Sequence, residues 1–121
     1  VLRGTDYNLR KPGTILFIED VVAEIYRVER LLYQLRLAGV LPKLKGLIVG
    51  QFTRYHLNGV LTDTSTDTQQ HLYSMISRLV EPYSYPVAFN FPIGHIDRNL
   101  PIVEGSQATL QVSPEVTLTF K

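Results

Sequence analysis

Two side chains in this sequence are well suited to moving a proton. Glu19 closes the apolar run Thr14-Ile15-Leu16-Phe17-Ile18, and His95 lies in the segment Phe91-Pro92-Ile93-Gly94-His95. Together they are two thirds of a hydrolytic triad, in which the imidazole is the base and the acid orients it and stabilises its charged form. The nucleophile is missing. Ser65, Ser74, Ser77, Ser84, Ser106 and Ser113 are the candidates, and none sits in a Gly-x-Ser-x-Gly elbow that would expose its hydroxyl. Ser106, after Gly105, comes nearest, but it falls where a turn into a strand is expected.

From spacing alone, structural roles for Glu19 and His95 carry more weight than catalytic ones. Burying a carboxylate unpaired is costly, and an arginine or solvent would serve Glu19 as well as a histidine. His95 follows Pro92 and Gly94, which fix a tight backbone path, yet a histidine in such a loop is often simply exposed. Asp20 fits a turn or cap, and His56 and His71 have weaker claims, one in a polar segment and one at a helix start. A metal site built from Glu19, Asp20 and His95 is a further alternative; with no cysteine in the chain, zinc would depend on His and carboxylate alone. There is no His-Glu-x-x-His, calcium loop or phosphate-cradling glycine pattern, so no cofactor is expected.

The elements that must position these residues are read from apolar periodicity. Thr14 to Glu19 predicts a strand covered on both faces, whose pleat sends Glu19 and Asp20 to opposite sides. Ile25, Val28, Leu31, Leu32, Leu35 and Ala38 recur at helical spacing between Glu24 and Ala38, with Gly39 as the stop. Gly46 to Phe52 predicts a second buried strand, and Thr53 to Thr66 a polar, mobile loop. A second amphipathic helix from Thr68 to Val80 would bury Leu72, Met75, Ile76 and Leu79, with Asp67 as its cap and Pro82 after its end. Pro86 to Phe89 predicts a short strand. Gln107 to Val112 and Val116 to Thr119 alternate around Ser113-Pro114-Glu115, as a hairpin with one solvated face does.

The order β-α-β-α-β followed by further strands predicts an α/β domain at the α+β boundary, with two main helices, a C-terminal β-hairpin and a partly barrel-like sheet. A chain of 121 residues, 45% hydrophobic and 19% charged, is long enough to bury a core as one domain. Its net charge of +1 gives no footprint for nucleic acid, and no apolar run approaches the ~20 residues of a membrane helix. Absence of cysteine fits a reducing compartment. The first residue is Val1 rather than Met, so the natural N-terminus is expected upstream, with residues 1–11 as the end of an interdomain linker and 12–121 as the domain.

Several ordered motifs carry a resemblance. Gly13-Thr14-Ile15-Leu16-Phe17-Ile18-Glu19-Asp20, Tyr26-Arg27 and Leu31 to Gly39 come first; Gly46 to Thr53 and Pro86-Val87 follow; Phe91 to His95, Asn99, Pro101 and Gly105 complete the series. In this order the chain resembles the LD-carboxypeptidase family of serine peptidases from about Pro12 onward. The resemblance implies the C-terminal half of a two-domain enzyme, a swivelling β/α-type domain carrying the glutamate and histidine of a Ser-Glu-His triad at Glu19 and His95. The serine and the oxyanion-binding groups would lie on an N-terminal domain, so this chain alone is expected to be inactive.

The implied reaction is release of a terminal D-amino acid after an L-centre, typically D-alanine from a muropeptide tetrapeptide, in the bacterial cytoplasm during peptidoglycan recycling. Some relatives cleave peptide-nucleotide antibiotics instead. Homodimers are common in the family, and no nucleic acid or membrane partner is implied. A non-catalytic interaction module of the same fold is the alternative from another class; a glycine-flanked serine upstream would favour the enzyme. The sequence departs from the family pattern at Arg54-Tyr55-His56 and on to Thr66, which bears on substrate choice, and at Ile102-Val103-Glu104; neither departure touches Glu19 or His95.

Overall fold

A computed structural model describes residues 13–22, 24–57, 60–63 and 66–121; of 21, 22, 55–57, 60–63, 66 and 67 it describes the backbone. The elements in order are β1 (Ile15–Val22), α1 (Ile25–Leu37), a 3-10 turn (Leu41–Lys43), β2 (Gly46–Leu57), β3 (Val60–Asp63), α2 (Thr66–Val80), β4 (Val87–Ala88), β5 (Ala108–Gln111) and β6 (Thr117–Phe120).

β2 is the middle of the main sheet. β1 runs parallel along one edge, from Ile15 opposite Gly46 to Val22 opposite Arg54. Along the other edge come β4, parallel to Leu47 and Ile48, then residues 91–93, and finally β3, antiparallel from Arg54 to Leu57. Strand alternation sorts the buried side chains. Leu16, Leu47 and Val49 join the cluster made with α1 and α2, while Ile48, Ala88, Ile93 and Leu110 form a second cluster with Ile15 and Phe17 packed on it. The helices thus cover one face of the sheet, and the histidine segment and C-terminal hairpin cover the other. Burial on both faces is why β1 and the start of β2 read as continuous apolar runs.

Both helices bury the faces their periodicity predicts, with one exception. Val28, Leu32 and Leu35 of α1 and Leu72, Met75, Ile76 and Leu79 of α2 are buried, whereas Leu31 is 45% exposed. Gly39, at φ 74°, ends α1 in a Schellman motif: its N–H reaches Arg36 O at 2.9 Å and the Val40 N–H reaches Leu35 O at 2.9 Å. No described helix is long and apolar enough to cross a membrane.

Three expectations change. The stretch after Phe52 is not a loop: β2 continues to Leu57 and returns as β3, with Leu57 opposite Val60. The signal was Asn58-Gly59 between flanking strand residues, a strong short-range hairpin signature. α2 starts at Thr66, so Asp67 lies inside its first turn rather than at the cap. The hairpin forms as expected, but β5 and β6 make their own two-stranded sheet, and no closed barrel is present among the described residues. The expected linker, residues 1–11, lies outside the described residues.

The helix ends meet through Arg36 of α1. Its Nη2 donates to Leu79 O at 2.7 Å and its Nε to the Tyr83 hydroxyl at 3.2 Å, and Tyr83 stacks on Tyr85 with ring centroids 5.7 Å apart. The Tyr85 hydroxyl is shut off from solvent without a hydrogen-bond partner among the described residues. Its burial, with a smaller contribution from Tyr83, pushes its pKa up to about 12. An ionised Tyr85 is therefore more favourable unfolded than folded, so stability is intact below pH ~10 and falls as pH rises toward 12. Tyr85→Phe should remove an unsatisfied donor, stabilise the domain by about 1 kcal/mol at neutral pH, and flatten the alkaline loss. Thermal melts of both proteins from pH 7 to 11 check this; equal alkaline slopes would be the contrary result.

Candidate active site

Glu19 shares the pleat parity of Ile15 and Phe17, which puts it on the sheet face that carries the histidine segment. The ladder changes step beside it. Between Ile18 opposite Val49 and Asp20 opposite Phe52, β1 advances two residues while β2 advances three. This is a bulge in a parallel pair, a rare arrangement that sets Gly50 and Gln51 across from Glu19.

Gly50 is required there by space. A Cβ on it would come 2.5 Å from Ile93 O and 3.2 Å from Glu19 Cβ, so only glycine lets the histidine segment lie against β1 and β2. The segment is then tied down by its backbone: Phe91 N–H donates to Val49 O at 3.1 Å and Gln51 N–H to Ile93 O at 2.8 Å. Ile93 is buried, which anchors the chain two residues before the histidine. Gly94 adopts φ 134°, strained for any L side chain, and a Cβ there would lie 3.0 Å from Gln51 O and 3.3 Å from Glu19 Oε2.

Delivered this way, His95 Nδ1 stands 3.2 Å from Glu19 Oε2. The two residues, 76 positions apart in sequence, are thus a hydrogen-bonded acid–imidazole pair. The histidine side chain is 60% exposed and the glutamate 26%, so the ring is supported from behind by a half-buried acid and open in front. With Nδ1 engaged by the carboxylate, Nε2 is the nitrogen left for another group.

A set of polar groups that sequence reasoning missed backs this arrangement. The Gln51 side-chain amide donates to Asn90 Oδ1, and its Oε1 accepts from Gln69 Nε2 of α2 at 3.1 Å. Gln69 also donates to the Tyr73 hydroxyl at 2.7 Å, and that hydroxyl donates to Gly50 O at 3.2 Å. Burial pushes the Tyr73 phenol up, with the Gln69 bond opposing it in part, so Tyr73 remains a neutral donor to the bulge. Only Asn90, at φ 55°, carried a hint of its role: asparagine tolerates the left-handed region, and here it turns the chain between β4 and the histidine segment.

The remaining candidates stand elsewhere. The Ser106 hydroxyl donates to Val103 O at 2.8 Å, a turn contact. Ser74 and Ser77 lie on the exposed side of α2, as does His71, and Ser84 and Ser113 are exposed in connections. Ser65 and the His56 side chain are outside the described residues. Asp20 is exposed, and no group of three His, Cys, Asp or Glu gathers to hold a metal among the described residues.

The chain is similar to proteins of one known family. Residues 1–110 match the family model described as the LD-carboxypeptidase C-terminal domain. A Bacillus subtilis (strain 168) protein named "Probable murein peptide carboxypeptidase" is 27% identical over 115 residues, which is 95% of this chain and 34% of that protein. The crystal structure of muramoyltetrapeptide carboxypeptidase from Oxalobacter formigenes superposes with a TM-score of 0.76 at 31% identity, over 98% of this chain and 40% of that one. The chain thus spans about a third of the length of its curated relative. With the family model covering nearly all of it, the chain belongs to the LD-carboxypeptidase family and corresponds to that family's C-terminal domain.

Proposed function

We propose that this chain supplies the base and acid of a serine carboxypeptidase triad, His95 and Glu19, to a nucleophilic serine on a preceding N-terminal domain. The observation that supports this most directly is the 3.2 Å contact between His95 Nδ1 and Glu19 Oε2 at an open imidazole. His95 Nε2 takes the serine proton as the hydroxyl attacks the carbonyl carbon of an L,D-peptide bond, and Glu19 holds the imidazole in the needed tautomer and stabilises its cation. As the tetrahedral intermediate collapses, the proton passes to the amine of the departing D-amino acid. Water then hydrolyses the acyl-enzyme with His95 again as base.

The substrate that best fits the relatives' names is a murein tetrapeptide losing its terminal D-alanine. Amino-acid analysis of a muropeptide tetrapeptide incubated with the full-length protein should show free D-alanine, and incubation with this chain alone should show none. Release by the chain alone would overturn the assignment of the nucleophile to another domain; a full-length protein inert on the tetrapeptide would overturn the substrate.

A further inference from the structure

The loop carrying His95 is pinched closed at its base by two hydrogen bonds. Leu100 N–H donates to Pro92 O at 2.8 Å, and Asn99 Oδ1 accepts the Gly94 N–H at 3.0 Å. The two differ in kind. The first joins backbone to backbone, whereas the second depends on one exposed side chain and holds the N–H of Gly94, the residue that immediately precedes His95. Gly94 needs such a hold, because without a Cβ its backbone turns more freely than that of the buried Ile93 before it or of His95 after it.

From this geometry we infer that Asn99 is a positioning residue for His95: by accepting the Gly94 N–H it fixes the Ile93–Gly94 peptide plane, from which Gly94 leads directly into His95, and so the distance from Nδ1 to Glu19. This rests on the proposed role of His95 as base. Nothing in Asn99 needs to touch substrate. Its effect is orientational, and displacing a reacting group by about 1 Å costs on the order of a hundredfold in rate. Of the described side-chain contacts behind the histidine segment this is the nearest to His95 along the chain: the side chains of Gln51, Gln69 and Tyr73 hold the bulge and residues 90–91, while the Ile93–Gly94 peptide is held at its carbonyl by the Gln51 N–H and at its N–H by Asn99.

The test compares Asn99→Ala, Asn99→Asp, Ser106→Ala and His95→Ala in the full-length protein. Ser106→Ala is the control, because it too removes one exposed side-chain bond to loop backbone, away from the histidine. Asn99→Ala should lower kcat by roughly tenfold to a hundredfold with KM changed less than about twofold, and with a melting temperature like that of Ser106→Ala. Asn99→Asp keeps an acceptor oxygen and should restore kcat to within a few-fold of the native protein. If His95→Ala abolishes turnover while Asn99→Ala behaves like Ser106→Ala, or if Asp fails to rescue, the positioning role is wrong and the base assignment stands. If His95→Ala leaves turnover intact, the base assignment itself fails.

Discussion

His95→Ala in the full-length protein should lower kcat by roughly a thousandfold or more while leaving KM and the melting temperature nearly unchanged. The size follows from what is lost. In the proposed triad, loss of the imidazole would leave the serine proton without an acceptor in the attack and the leaving amine without a donor in the collapse, so both halves of the acyl transfer would slow together. Stability should hold because the side chain is 60% exposed and its described contact is the one with Glu19. Glu19→Gln should fall in the same range: the amide keeps the shape and can still meet Nδ1, but it removes the negative charge that stabilises the imidazolium. A single-turnover assay of D-alanine release separates these outcomes from slow product release, and near-native turnover in either variant would remove that residue from the mechanism.

Gly50→Ala should cost both stability and activity, at a position that contributes no functional side chain. The added methyl would stand 2.5 Å from Ile93 O, and because the obstacle is backbone, either the histidine segment lifts off β2 or the bulge unwinds. Overpacking of this kind costs about 1–3 kcal/mol. Any lift moves His95 away from Glu19, so kcat should fall on the order of a hundredfold. Gly39→Ala is the informative contrast. There a Cβ meets nothing within 4 Å, and the penalty comes from φ 74° alone, on the order of 1 kcal/mol with turnover unchanged. Equal kcat values for Gly50→Ala and Gly39→Ala would show that the close approach at the bulge does not set the histidine's position.

Much of the framework was legible because its signals are local. The apolar runs of β1 and early β2, the two amphipathic helices and the Gly39 stop depend on burial and capping that each segment shows by itself. Glu19 and His95 were legible as chemical types, but their meeting was not: a contact across 76 positions has no periodicity, and it was the ordered motifs around both residues that pointed to it. The parallel bulge was invisible for a related reason. It is a mismatch between two strands, and neither Ile18-Glu19-Asp20 nor Val49-Gly50-Gln51-Phe52 shows it alone. Gln51, Gln69, Asn90 and Asn99 read as ordinary surface amides, since their roles exist only once α2, β2 and the histidine segment are side by side. The β2–β3 extension is signalled locally only by Asn58-Gly59, a dipeptide set within the otherwise polar stretch Thr53 to Thr66.

β2 touches β1 along one edge and the histidine segment along the other. During synthesis Glu19 emerges long before His95, and in the interval β1 can pair with β2 while the carboxylate faces water. Because residues 91–93 hydrogen-bond to the edge of β2 opposite β1, the meeting of His95 with Glu19 depends on both edges of β2 being occupied. A domain cut short before residue 91 would therefore keep the Glu19 strand and lose the partner that Glu19 meets 76 positions later.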